Sequence, residues 1–138
     1  MPHIPARSIR LEAMARILLV DDEEPIRGLL KRGLEMDGHA VLTAVDGEDG
    51  LDRLVETEGA FDLVLTDIRM PSMDGIALAH AAKRVYPDVV VLLMTGFADQ
   101  RERTADLQDV VVDVLTKPFS LAEVRAAVAR ALLLPITD

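Results

Sequence analysis

Four polar signals in this chain each stand behind a hydrophobic run. Asp21-Asp22 follows residues 16–20, Asp67 follows 63–66, Thr95 follows 89–94, and Lys117-Pro118 follows 111–116. If these runs are neighbouring strands, the set amounts to three carboxylates, a hydroxyl and an ammonium at one edge. Three acids held together repel one another unless a cation joins them, and a lysine opposite them asks for an anion. A divalent metal and a phosphoryl group satisfy both demands. Phosphoryl transfer needs few further parts: an in-line nucleophile, a metal, and donors for the equatorial oxygens.

The elements that must position these residues alternate along the chain. RILLV leads into EPIRGLLKRGLEMDG, where Ile26, Leu29, Leu30 and Leu34 recur at helical spacing. Pro25 suits the first turn of that helix and Gly38 its stop. HAVLTAVDG reads as a short strand and GEDGLDRLVETEG as a polar amphipathic helix. FDLVLTD and VVVLLM show no alternation, as expected of strands buried on both faces. Between them IALAHAAKRVY predicts a helix stopped by Pro87. GFADQRERTADLQ predicts a weak, highly charged helix, and VVVDVL a last strand. Leu121, Val124, Val128 and Leu132 mark a final amphipathic helix, capped by Ser120. Alternating βα units with buried strands imply a parallel, doubly wound sheet with right-handed crossovers. Such sheets place their chemistry in the crevice beyond the carboxyl ends of the strands.

Composition narrows the field. The 138 residues fit one domain, and 50% hydrophobic with 3% aromatic content gives a core of Leu, Val, Ile, Ala and Met. The absence of cysteine removes disulfides, thiolate metal sites and cysteine nucleophiles, and fits a reducing cytoplasm, the expected location. A formal charge of −9 argues against nucleic-acid binding, which rests on clustered Lys and Arg. No apolar run approaches the ~20 residues of a membrane span. The segment MPHIPARSIRLEA lacks an apolar h-region, so it is no secretory signal. Either Met14 is the natural start or residues 1–13 are a mobile extension. The domain reading is an extension at 1–14, one folded domain at 15–133, and a tail at 134–138.

Each site residue has a bland alternative. Asp67 ends a central buried strand, where a carboxylate has one exposed edge and a dry floor, and it is the expected nucleophile; a lone aspartate there would more often cap or turn the chain. Asp21-Asp22 alone would read as first-turn charge favoured by the helix dipole. Together with Asp67 the pair reads as a hard-cation site for Mg²⁺, with Asp22 the direct ligand and Asp21 a ligand through water. Crowding of these acids is expected to raise at least one carboxyl pKa through mutual repulsion. Lys117 precedes a proline, which disfavours helical geometry and permits a cis bond; both are expected to aim the lysine at the crevice. Thr95 supplies a hydroxyl, and Gly96 leaves space for an anion.

The combination Asp21-Asp22, Asp67, Met70-Pro71, Asp74-Gly75, Thr95 and Lys117-Pro118-Phe119 resembles the receiver domain of two-component response regulators, over residues 15–133. The resemblance implies a flavodoxin-like, five-stranded parallel sheet of order 2-1-3-4-5 flanked by five helices. It implies phosphoryl transfer from a histidine kinase or histidine phosphotransferase to Asp67, with Mg²⁺ held by Asp22, Asp67 and the backbone carbonyl of Arg69. Thr95 and Lys117 would hold the phosphoryl oxygens, and the bond to Pro118 would be cis. Such a protein is a phosphoacceptor that catalyses only its own phosphorylation and dephosphorylation. Receivers usually carry Tyr or Phe three residues before the lysine; here that position is Val114, so switching by a rotating ring is in doubt. Neither Arg69 nor Phe97 suits the orientation of an attacking water, which implies a long-lived phosphoaspartate.

The stretches MTGFADQRER, MDGIALA and DVLTKPFS look like CpdR-type single-domain receivers of alphaproteobacteria. That resemblance implies a cell-cycle adaptor whose unphosphorylated form docks on the ClpX unfoldase and primes ClpXP proteolysis. The alternative is a generic phosphorelay or motility receiver. Other classes fit less well. A haloacid-dehalogenase-type enzyme needs a second acid two residues after its nucleophile, where this chain has Arg69. A nucleotide-binding fold needs a glycine-rich loop after the first strand, where this chain has DDEEPIRG. A structural pseudo-receiver is expected to lose an acid, hydroxyl or lysine, and a DNA-binding regulator needs an output domain beyond the last helix.

Overall fold

The structure, a computed structural model, describes residues 15–96, 107 and 109–133. Among the described residues, nine elements run in chain order. They are β1 (Arg16–Val20), α1 (Glu24–Met36), β2 (Ala40–Ala44), α2 (Gly47–Glu56), β3 (Leu63–Asp67), α3 (Gly75–Val85), β4 (Val90–Thr95), β5 (Asp113–Thr116) and α4 (Leu121–Leu132). All strand pairs are parallel, and the sheet order is β2-β1-β3-β4-β5. The expected architecture is thus present. Four of the five expected helices lie among the described residues; the fifth, the charged helix with Phe97 at its start, falls outside them, as do the extension at 1–14 and the tail at 134–138.

Every residue of β3 and β4 is buried, which explains why their sequences show no polar alternation. Successive side chains of a strand point to opposite faces, and the helices cover both. Leu18, Val20, Val64, Val91 and Leu93 face α2 and α3 through Leu54, Leu78 and Ala82. Ile17, Leu19, Leu65, Leu92 and Met94 face α1 and α4 through Leu30, Leu34, Val124 and Val128. This packing fixes the strand register and therefore the height at which each strand ends.

Helix starts are set by short polar side chains. Asp46 and Asp74 accept hydrogen bonds from Asp49 N and Ala77 N at 2.8 and 2.9 Å. Ser120 and Glu123 form a reciprocal capping box at the start of α4. At the start of α1, Glu23 is the N-cap residue but makes no side-chain cap bond.

The last strand is shorter than the hydrophobic run suggests. Val110 N and Val111 N both donate to Leu107 O, at 2.9 and 2.8 Å, so the run opens as a turn. Val111 is buried in the core, and β5 begins only at Asp113. Val112 is exposed, so this apolar run reports neither uniform burial nor an extended backbone.

Candidate functional site

The carboxyl ends of β1, β3, β4 and β5 deliver Asp21, Asp67, Thr95 and Lys117 to one edge of the sheet, beside the β1/β3 switch point where the chain reverses its winding. Asp67 closes β3 and is 5% exposed. Its Oδ2 accepts a hydrogen bond from Lys117 Nζ at 3.2 Å, across 50 residues of sequence. Burial raises the Asp67 carboxyl above its usual range; the Lys117 ammonium pulls the other way, and Asp22 adds a small repulsion. The lysine is raised by Asp67 despite its own partial burial. Burial thus leaves the Asp67 carboxyl poorly solvated, and the Lys117 ammonium is its compensating charge.

Asp21 is wholly buried. Its Oδ1 accepts from Glu23 N at 2.8 Å, and its Oδ2 has no hydrogen-bond partner. Its pKa is pushed up to about 6, chiefly by burial, with repulsion from Asp67 a lesser cause. The expected upward shift is present, but desolvation rather than crowding dominates it. A buried, partnerless carboxylate oxygen is costly unless something positive meets it.

Asp21, Asp22, Glu23 and Asp67 each offer a carboxylate oxygen, and these atoms all lie within 4.8 Å of one another. All-oxygen, acidic ligation suits a hard divalent cation such as Mg²⁺. The orphaned Asp21 oxygen supplies an independent sign that the cluster fits such an ion.

The cluster opens into a cleft of about 610 Å³. Asp22, Glu23 and Arg69 line one part of it, Asp67 its floor, and Gly96 and Lys117 another part. A Cβ at Gly96 would meet only Lys117 carbons, at 3.7 and 3.8 Å, so packing does not demand glycine; the space it leaves is open cleft. Glycine is demanded at position 75, where a Cβ would lie 2.1 Å from Asp67 O. That close approach lets α3 start directly beneath the end of β3, where Gly75 N donates to Ile68 O at 2.8 Å.

Thr95 is buried at the end of β4, and Thr95 O accepts from Lys117 N at 2.7 Å. The Lys117-Pro118 bond is cis. Val114 is half-buried and packs against the core cluster on the α2/α3 side of the sheet. Phe97 lies outside the described residues. Two contributors escaped the sequence reading. Glu23 belongs to the acidic cluster, and its Oε1 lies 3.8 Å from Lys117 Nζ. Arg27 Nη1 donates to Asp21 O at 2.7 Å and braces the loop that carries the acids. The run Asp-Asp-Glu-Glu held a hint of the first; nothing local signalled the second.

Acids and a lysine gathered at the switch point of a 2-1-3-4-5 sheet define a class of domain suited to a metal ion and a phosphoryl anion. Comparison with known proteins makes the class definite. The family model of the response regulator receiver domain matches residues 17–129. The transcriptional regulatory protein PrrA of Mycobacterium leprae is 38% identical over 113 residues, covering 82% of this chain and 48% of that protein. The alkaline phosphatase synthesis transcriptional regulatory protein PhoP of Bacillus subtilis is also 38% identical, covering 82% and 46%. The chain thus spans about half the length of these curated relatives. Among solved structures, a response regulator receiver domain protein from Clostridium thermocellum superposes with a TM-score of 0.79 at 31% identity, covering 86% of this chain and 94% of that one. The response regulator TrrA of Thermotoga maritima, in complex with Mg(2+)-BeF, gives 0.75 at 33% identity, covering 87% and 100%. The chain belongs to the response regulator receiver domains, signalling domains that take a phosphoryl group from histidine kinases.

Proposed function

We propose that this receiver accepts a phosphoryl group on Asp67 from a phosphohistidine and thereby switches a protein-binding surface. The observation that carries the reading is Asp67 itself: buried, at the end of the central strand, beside Lys117 Nζ at 3.2 Å and within the four-acid cluster. An Asp67 carboxylate oxygen forms the new O–P bond as the N–P bond of the donor breaks. The bonding pair leaves with the imidazole nitrogen, which takes up a proton. Lys117 and the Thr95 hydroxyl stabilise the phosphoryl oxygens, Gly96 gives them room, and the half-buried setting limits water. Asp22, Asp67 and the Arg69 backbone carbonyl would hold Mg²⁺, with Asp21 a ligand through water. The bound ion would supply charge neutralisation for the acids and the phosphoryl oxygens.

Downstream, the adaptor reading is the one proposed: the unphosphorylated form binds the ClpX unfoldase, and phosphorylation releases it. Three stretches support it, MTGFADQRER, MDGIALA and DVLTKPFS, which look like the CpdR type. The relatives named above are transcriptional regulators, but a charge of −9 favours a protein partner over nucleic acid for this chain. Intact-mass measurement with a small phosphodonor and Mg²⁺ tests the chemistry. Wild type should gain one phosphoryl group and Asp67→Asn none; equal gain in both would remove Asp67 from its role. A pull-down then tests the adaptor reading. Asp67→Ala should retain ClpX while phosphorylated wild type loses it; no ClpX in either sample would leave the motility or phosphorelay alternative.

A further inference from the structure

Glu23 occupies a position that the rest of the site does not account for. It stands at the N-cap position of α1, where Ser, Thr, Asp or Asn would cap the helix, and its longer side chain makes no cap bond and is free of that task. Its backbone instead serves the site, since Glu23 N donates to Asp21 Oδ1 at 2.8 Å. Its carboxylate extends into the cleft, with Oε1 3.8 Å from Lys117 Nζ. It also offers an oxygen to the cluster that contains the buried Asp21 Oδ2, which has no hydrogen-bond partner among the described residues. Lys117 thus stands between two carboxylates: Asp67 on the cleft floor at 3.2 Å and Glu23 at the mouth at 3.8 Å.

We infer that Glu23 is a cation-recruiting carboxylate that exchanges partners, facing Lys117 in the empty cleft and the divalent ion in the loaded one. The inference rests on the proposed phosphoryl-accepting site. Geometry supports the exchange: Glu23 is the more exposed and more distant of the two partners of Lys117, so it is the one a cation can draw away. Its departure removes one of the two carboxylates that hold the ammonium and leaves Lys117 with Asp67 on the cleft floor. A site with three acids needs no fourth merely to reach Mg²⁺, which keeps several of its waters. An added carboxylate at the mouth therefore acts through long-range attraction and water-bridged contact, and its contribution is modest and sensitive to salt.

Calorimetric titration of the full chain with Mg²⁺ tests this, in wild type, Glu23→Gln, Lys117→Met and the double variant. Glu23→Gln should weaken Mg²⁺ about two- to fivefold, as expected for one water-screened charge, and the loss should shrink at high salt. Lys117→Met should tighten Mg²⁺, because a competing cation is gone. In that background Glu23→Gln should cost at least as much as it does in wild type. Melting curves without metal verify that each variant is folded; should Lys117→Met fail to fold, Lys117→Gln serves instead. Equal affinity in wild type and Glu23→Gln overturns the inference. So does a Glu23→Gln effect that vanishes once Lys117 is removed, because Glu23 would then act only through the lysine. Wild type that binds no Mg²⁺ contradicts the whole site reading, a failure distinct from either of these.

Discussion

At the scale of single residues, the site is a contest between desolvation and charge. Asp21 shows it most clearly, with its carboxyl raised from 3.8 to about 6 by burial. The native state therefore holds a proton that the unfolded chain has released between about pH 4 and pH 6. Stability contributed by this group is present below that window and falls as pH rises through it. A shift of this size corresponds to at most about 3 kcal/mol. Asp21→Asn, which keeps the shape without the charge, should be more stable than wild type at pH 7.5 in chelator, and the gap should close toward pH 4. Added Mg²⁺ should reverse the order at pH 7.5 by stabilising wild type alone. Thermal melts of both proteins at the two pH values check this; a gap that is constant with pH would mean that Asp21 is not held in the way its burial indicates. The sequence made Asp21 legible as an acid in the site, because it follows a strand. It did not reveal that Asp21 is the more deeply buried of the pair, nor that Arg27 braces it, since both depend on the path of the β1–α1 loop.

At the scale of elements, positioning depends on how closely helices and strand ends approach one another. Position 75 is such a case at the site, with room for no side chain between α3 and the Asp67 carbonyl. Gly75→Ala must displace backbone at Asp67, the proposed nucleophile. It should cost roughly 2 kcal/mol, in the range of overpacked sites, and should slow phosphorylation as well. Ser120→Ala removes the capping box of α4 and should cost about 1 kcal/mol while Asp67 remains competent. Denaturant unfolding and phosphorylation rates on the same samples separate the two; a Gly75→Ala protein indistinguishable from wild type in both would contradict the described contact. Most elements were legible because their periodicities are strong: α4 from its apolar stripe and cap, β3 and β4 from their unbroken apolar runs. The start of β5 was not, because Val110, partly buried, and Val111, buried, form a turn while carrying strand-like side chains. Backbone direction there is decided by the bonds to Leu107 O.

At the scale of the whole molecule, a charge at Asp67 has to be felt at a surface. The usual aromatic ring is replaced by Val114, which is small and stiff at χ1. The backbone offers a substitute, since Lys117 N donates to Thr95 O at 2.7 Å and ties the ends of β4 and β5 together. Movement of Thr95 toward a phosphoryl group should then carry β5 with it. Backbone amide shifts on adding beryllofluoride and Mg²⁺ should reach Thr95, Gly96 and residues 113–117; shifts confined to residues near Asp67 would mean that the signal leaves by another face. Phosphorylation of Asp67 itself can be tested more directly. After treatment with a small phosphodonor and Mg²⁺, borohydride reduces an aspartyl phosphate to homoserine, and peptide mapping finds where. The expected result is homoserine at position 67 and nowhere else. Homoserine at Asp21 or Asp22, or none at all in protein shown to bind Mg²⁺, would contradict it.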